Sequence, residues 1–239
     1  MASGKAIIGG LLGRFLFRES HVEKVRDVSP HFRWVELAGE GLRDVSWSPG
    51  DKVQVFLPDV GMRTYTPLAW DSTRGATQFL VYLHGSSPGA EWGRNLRVGD
   101  RCQFLGPRGS LPLASLQGPV VLFGDETSFA VAHTLRNLRA GTGDVDSIFE
   151  VSSREESGAV LREFSLARSD VVERAPGDGH LPEVAALLQA ALTRRPGAHL
   201  VMTGRAQAIQ ALRSRLKASG VDPAQKVKAY WSLGKAGLD

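Results

Sequence analysis

Residues 62–70 read MRTYTPLAW and set a guanidinium, a phenol and a hydroxyl within four positions, at Arg63, Tyr65 and Thr66. Pro67 follows, and its missing N–H ends a strand. A guanidinium fork pairs with phosphate oxygens. A tyrosine ring lies against an apolar ring system and leaves its hydroxyl for a sugar or phosphate. A threonine hydroxyl reaches a ring nitrogen. Together these suit a flavin nucleotide. The same residues also suit a plain edge strand with an exposed Arg and a half-buried Tyr.

Two polar turns offer free amides. FGDETS (123–128) and MTGRAQ (202–207) each follow an apolar run and lead into a helical one. A helix N-terminus carries unpaired N–H groups and a dipole that favour an anion. Asp125 and Thr127 serve equally well as plain N-caps. VSSREES (151–157) offers the hydroxyls of Ser152 and Ser153 and the fork of Arg154 to a ribose 2′-phosphate, with Arg205 adding positive charge. Glu155 and Glu156 would instead accept from a free 2′-hydroxyl, and Ser153 with Glu156 also spells a capping box. The six histidines show no metal-pair spacing, so no metal ligands are assigned. No side chain is assigned a proton-transfer role.

Two kinds of element must position these groups. Residues 15–113 read as strands. DKVQVFLP puts Val53, Val55 and Leu57 on one face, and QFLVYLHG puts Phe79, Val81 and Leu83 on one face with Tyr82 and His84 opposite. SPGD (48–51), VGDR (98–101) and GPRG (106–109) are turn chemistry. Short strands at this spacing predict a closed antiparallel barrel. From residue 118 strands and helices alternate. Val184, Leu187, Leu188 and Leu192 fall at helical spacing, as do Ile209, Leu212 and Leu216, with Gly220 as a stop. That alternation predicts a parallel sheet covered on both faces. The boundaries are 15–114 for the barrel and 118–239 for the α/β half, joined at Gly118–Val120. Such a plan holds one cofactor in the barrel while a second nucleotide visits the sheet.

Composition narrows the class. The chain has 239 residues, 42% hydrophobic and 23% charged, with a net charge of +4. No basic run interleaved with aromatics marks a nucleic-acid surface. Cys102 is the single cysteine, which excludes an internal disulfide and points to the cytoplasm. The N-terminal MASGKAIIGGLLGRFLFRES lacks a cleavage pattern, and no run is long enough to span a bilayer.

RTYTP, then YLHGSSPGAEWGRNLRVGD, GPRGSL, FGDETS and AYWSLG, in this order over residues 15–236, resemble the siderophore-interacting protein family. These are FAD-containing ferric-siderophore reductases, relatives of the ferredoxin reductases. The resemblance implies roles. Arg63, Tyr65 and Thr66 would meet the FAD, with His84 at the end of the following strand. SSPGAEW, with Ser87, Gly89, Ala90 and Trp92, would be a loop wrapping the FAD pyrophosphate. Asp125, Glu126, Thr127, Ser153, Arg154, Gly204 and Arg205 would receive NADPH, with NADH as the alternative donor. Tyr230 and Trp231 would meet the flavin face. The substrate would be a ferric siderophore, handled by a monomer with neither nucleic acid nor membrane insertion. Leu68 stands where the family has a basic residue, and Arg205 follows Gly204 where it has an acidic one. A flavin reductase with another acceptor, and a non-enzymatic siderophore carrier, are the alternatives.

Overall fold

The computed structural model describes residues 17–57 and 60–234. The glycine-broken apolar run at the N-terminus lies outside the described residues, apart from its last four positions. The first sheet contains β1 (Arg18–Ser29), β2 (Phe32–Ala38), β3 (Lys52–Leu57), β4 (Gly61–Tyr65), β5 (Ala69–Asp71), β6 (Ala76–Tyr82) and β7 (Arg101–Arg108). Their order is β4-β3-β7-β1-β2-β6-β5, every pair antiparallel. Val53, Val55, Leu57, Phe79, Val81 and Leu83 all point into one apolar cluster, as their alternation predicts.

The closed barrel is not formed. β4 and β5 are edges of a curled but open sheet, because β5 has three residues and pairs only with β6. Helix α1 (Pro88–Asn95) packs against β3 and β6. Gly93 permits that approach: a Cβ there would lie 2.7 Å from the side chains of Val81 and Leu83. GPRG is not a turn either. β7 runs through it to Arg108, which pairs with Lys52 across a shift of register. A bulge is where a sheet accommodates proline.

The second sheet is parallel, ordered β10-β9-β8-β11-β12. Its strands are β8 (Val120–Gly124), β9 (Val145–Val151), β10 (Asp170–Glu173), β11 (His199–Arg205) and β12 (Gln225–Trp231). Its helices are α2 (Phe129–Leu138), α3 (Arg154–Glu163), α4 (Leu181–Arg194) and α5 (Ala206–Ala218). α4 and α5 cover one face through Val184, Leu188, Ile209, Leu212 and Leu216. α2 and α3 cover the other, in a cluster shared with Phe32, Leu68, Leu111 and Leu113 from the first half of the chain. Leu68 is thus core packing at 3% exposure, which accounts for an apolar residue at that position. Strand order reverses between β8 and β11, and ligand crevices form beyond the carboxyl ends of strands at such a point. Among the described residues no helix is long and apolar enough to cross a membrane.

Candidate functional site

Arg63, Tyr65 and Thr66 stand at the end of β4, as expected of the strand before Pro67. The Arg63 guanidinium donates to Met62 O at 2.7 Å and has no carboxylate partner among the described residues. Tyr65 packs on Trp92 at 5.4 Å and on Phe79 at 6.2 Å between ring centroids. Burial pushes its hydroxyl well above the ordinary range, against the pull of the Arg63 charge.

SSPGAEW is a helix start rather than a loop. Ser87 caps α1 by accepting from Ala90 N at 3.3 Å, Pro88 sits in the first turn, and Glu91 complements the dipole. The small residues serve packing. A Cβ on Gly89 would lie 3.1 Å from the Tyr65 hydroxyl and 3.8 Å from Arg63 Cγ. The first turn of α1, a glycine without a side chain, and an arginine with no counter-ion among the described residues converge at one strand end, an arrangement that suits an anion. These residues fit a flavin diphosphate. Trp92 anchors α1 on Tyr65. His84 lies exposed just past β6, 5.5 Å from Tyr82 and 6.4 Å from Trp231 by ring centroids. Partial burial and the charges of Arg94 and Arg174 hold its imidazole below the ordinary range, against the pull of Glu126.

Across the crevice, β12 delivers Tyr230 and Trp231. Tyr230 packs against the cluster that holds Leu68, and burial raises its hydroxyl well above the ordinary range, against the pull of the Thr66 hydroxyl. Trp231 Nε1 donates to Asp125 Oδ2 at 2.7 Å. Asp125 is wholly buried and caps the single 3₁₀ turn Glu126–Ser128, accepting from Thr127 N at 2.9 Å and from the Thr127 hydroxyl. Burial pushes the Asp125 carboxyl up to about 6, with the charge of Glu126 adding to it. The bonds from Thr127 and Trp231 and the charge of Arg174 pull the other way.

Two residues expected at the nucleotide are structural. Glu126, 3% exposed, accepts from Arg174 Nη1 and Nη2 at 3.0 and 2.6 Å, from Ser152 N at 2.6 Å and from the Tyr82 hydroxyl at 3.3 Å. Its acceptor capacity is filled. Arg205 is 4% exposed and bidentate to Glu150, 2.9 Å on each arm, with Asp178 at 2.8 Å. It faces no ligand. Gly204, at φ +99°, has a reason of its own: a Cβ there would meet Asp125 Oδ2 at 2.4 Å.

Ser153 caps α3 by accepting from Glu156 N at 3.3 Å. The Glu156 carboxylate turns instead to the β1–β2 turn. It accepts from the Ser29 hydroxyl at 2.6 Å and His31 N at 2.7 Å, and lies 2.9 Å from His31 Nδ1. Arg154 and Glu155 are exposed, and the Arg154 guanidinium has no partner among the described residues.

Sequence reasoning missed Arg174, Glu150, His180 and Asp178. His180 Nδ1 accepts from Ala175 N at 3.2 Å, so its Nε2 carries the proton given to Glu150 at 2.8 Å. The available signal was Glu150, a carboxylate inside the apolar run SIFEV. A buried charge needs partners. Among the described residues no group of three or more His, Cys, Asp or Glu side chains is placed to hold a metal ion.

Residues 59–111 match the family model of the siderophore-interacting FAD-binding domain. The chain is similar to a siderophore utilization protein from T. fusca at 24% identity, covering 93% of this chain and 95% of that one, TM-score 0.71. It is similar to the siderophore-interacting protein SipS from Aeromonas hydrophila at 18% identity, covering 91% and 98%, TM-score 0.72. A ferredoxin reductase in carbazole 1,9a-dioxygenase aligns at 17% identity over 90% of this chain and 69% of that one, TM-score 0.70. At these identities the likeness is one of fold, and the fold is ferredoxin-reductase-like. No curated protein matches the chain by sequence.

Proposed function

We propose that the chain is an FAD-dependent oxidoreductase that passes electrons from NADPH through FAD to a ferric siderophore and releases ferrous iron. One observation carries this reading. Arg63, with no carboxylate partner among the described residues, and the start of α1 form an anion cradle beside Tyr65 and Thr66, and Tyr230 at the end of β12 packs on the cluster that holds Leu68. When bound, the flavin supplies acceptance of a hydride and return of single electrons.

The residues divide the remaining work. Arg63 and the α1 amides hold the diphosphate. Tyr65 and Thr66 orient the ribityl chain and ring edge. Tyr230 and Trp231 close over the ring face and exclude water from it. Ser153 and the exposed Arg154 receive the 2′-phosphate of the nucleotide. Glu156 is engaged by Ser29 and His31, so of the two carboxylates that would favour NADH only Glu155 is exposed. Ferrous iron is bound weakly by hard oxygen chelators, so reduction frees it without a protein ligand.

The test is an anaerobic mixture of protein, FAD, NADPH, a panel of ferric siderophores and a ferrous-specific trap. A trap signal that needs both nucleotide and flavin is expected. A colourless protein that takes up no FAD overturns the reading. A yellow protein that reduces ferricyanide or a quinone but no ferric chelate makes it a reductase for another acceptor.

A further inference from the structure

We propose that Asp125 is a positioning residue. It holds the Trp231 indole, and so sets where the end of β12 lies relative to the flavin strand. The role at the flavin strand rests on the flavin reading above, whereas the hold on Trp231 rests on geometry alone.

A carboxylate that merely capped a short turn would use one oxygen. Asp125 uses both, toward different elements. Oδ1 takes the N–H and hydroxyl of Thr127, and Oδ2 takes the Trp231 indole at 2.7 Å. The second contact is built in from β11 as well, since Gly204 leaves room that a Cβ 2.4 Å from Oδ2 would remove. The register of β12 points the same way. Gly204 pairs with Ala229, but the next residue, Arg205, pairs with Trp231, so Tyr230 is the extra residue of a bulge. A bulge re-aims side chains. Here Tyr230 packs against the cluster that holds Leu68, and the Trp231 indole reaches Asp125. The end of β12 is thus packed through Tyr230 and pinned through Trp231 to the turn that follows β8. A ligand that moves that turn moves Trp231 with it.

The test uses D125N, W231F and their combination, with S128A as a control. S128A loosens the same turn, where Ser128 Oγ accepts from Asp125 N, without touching Trp231. An Asn at 125 has one acceptor oxygen for two sets of donors, so its amide N–H₂ must face either Thr127 or the indole. W231F removes the donor and replaces the indole with a smaller phenyl ring. D125N and W231F are each expected to lower the melting temperature of the apoprotein, and the double variant to lower it by less than the sum of the two. In FAD-reconstituted protein, D125N is expected to shift flavin fluorescence in the same direction as W231F, with S128A as wild type. Additive losses in melting temperature overturn the proposal, as does wild-type fluorescence in D125N. A protein that takes up no FAD sinks the functional reading instead, and the melting-temperature cycle still decides whether Asp125 holds Trp231.

Discussion

At the scale of single residues, the site is defined by which charges have partners. Arg63 has no charged partner among the described residues, and a charged hydrogen bond contributes about 1.5–3 kcal/mol. Arg63→Ala is therefore expected to weaken FAD binding roughly tenfold or more. Titration of apoprotein with FAD checks it, and an unchanged affinity removes Arg63 from the site. Arg154→Ala should raise KM for NADPH and leave that for NADH nearly unchanged, because only the 2′-phosphate contact is lost. Equal effects on the two nucleotides count against that placement. Asp125 carries a pH signature. Its folded value of about 6 lies above the ordinary 3.8, so the fold binds its proton more tightly than the unfolded chain does. That stabilisation is complete below about pH 3.8 and is lost as the pH rises through about 6. The stability difference between wild type and D125N should therefore fall by roughly 2 kcal/mol between pH 4 and 7. Urea unfolding at several pH values measures it, and a flat difference contradicts it.

At the scale of elements, periodicity carried the prediction and local chemistry limited it. The alternation in DKVQVFLP and QFLVYLHG marks strand faces that are buried, and the spacing in α4 and α5 marks helix faces that are buried. Closure of the first sheet was not legible, because whether edge strands meet depends on their length and partners, not on their alternation. α1 was hidden by its composition, since Ser-Pro-Gly is loop chemistry until Ser87 acts as a cap. Arg205 was misplaced because its sequence neighbours are turn residues, while its partners Glu150 and Asp178 lie 55 and 27 positions away. The contact of α3 with the β1–β2 turn was invisible for the same reason. Glu156→Ala removes the acceptor for Ser29 and His31, which are partly solvated, so a loss of about 1 kcal/mol is expected. The urea midpoint should drop with no change in slope. An unchanged midpoint would show that solvent replaces these bonds at no cost.

At the scale of the whole molecule, the two sheets are not separately filled. Phe32 stacks on Phe129 at 5.6 Å between centroids, and Phe129 meets Phe149 at 4.9 Å, so one run of rings passes from β2 through α2 to β9. Phe32, Phe129 and Phe149 are each no more than 1% exposed, and full burial of such a side chain contributes about 1.5–3 kcal/mol. Calorimetry should give a single transition with equal calorimetric and van't Hoff enthalpies. Two resolved transitions would mean that the rings do not couple the halves. A shared filling of this kind also constrains kinetics. Hinged proteins admit ligands by swinging their halves apart, and here that swing would expose Phe32 and Phe129 to water. On the proposed function, ligand entry would then require the end of β12 to lift, which breaks the Trp231–Asp125 bond. Entry and exit should then run at the pace of a strand end lifting, and thickening the solvent should slow turnover little.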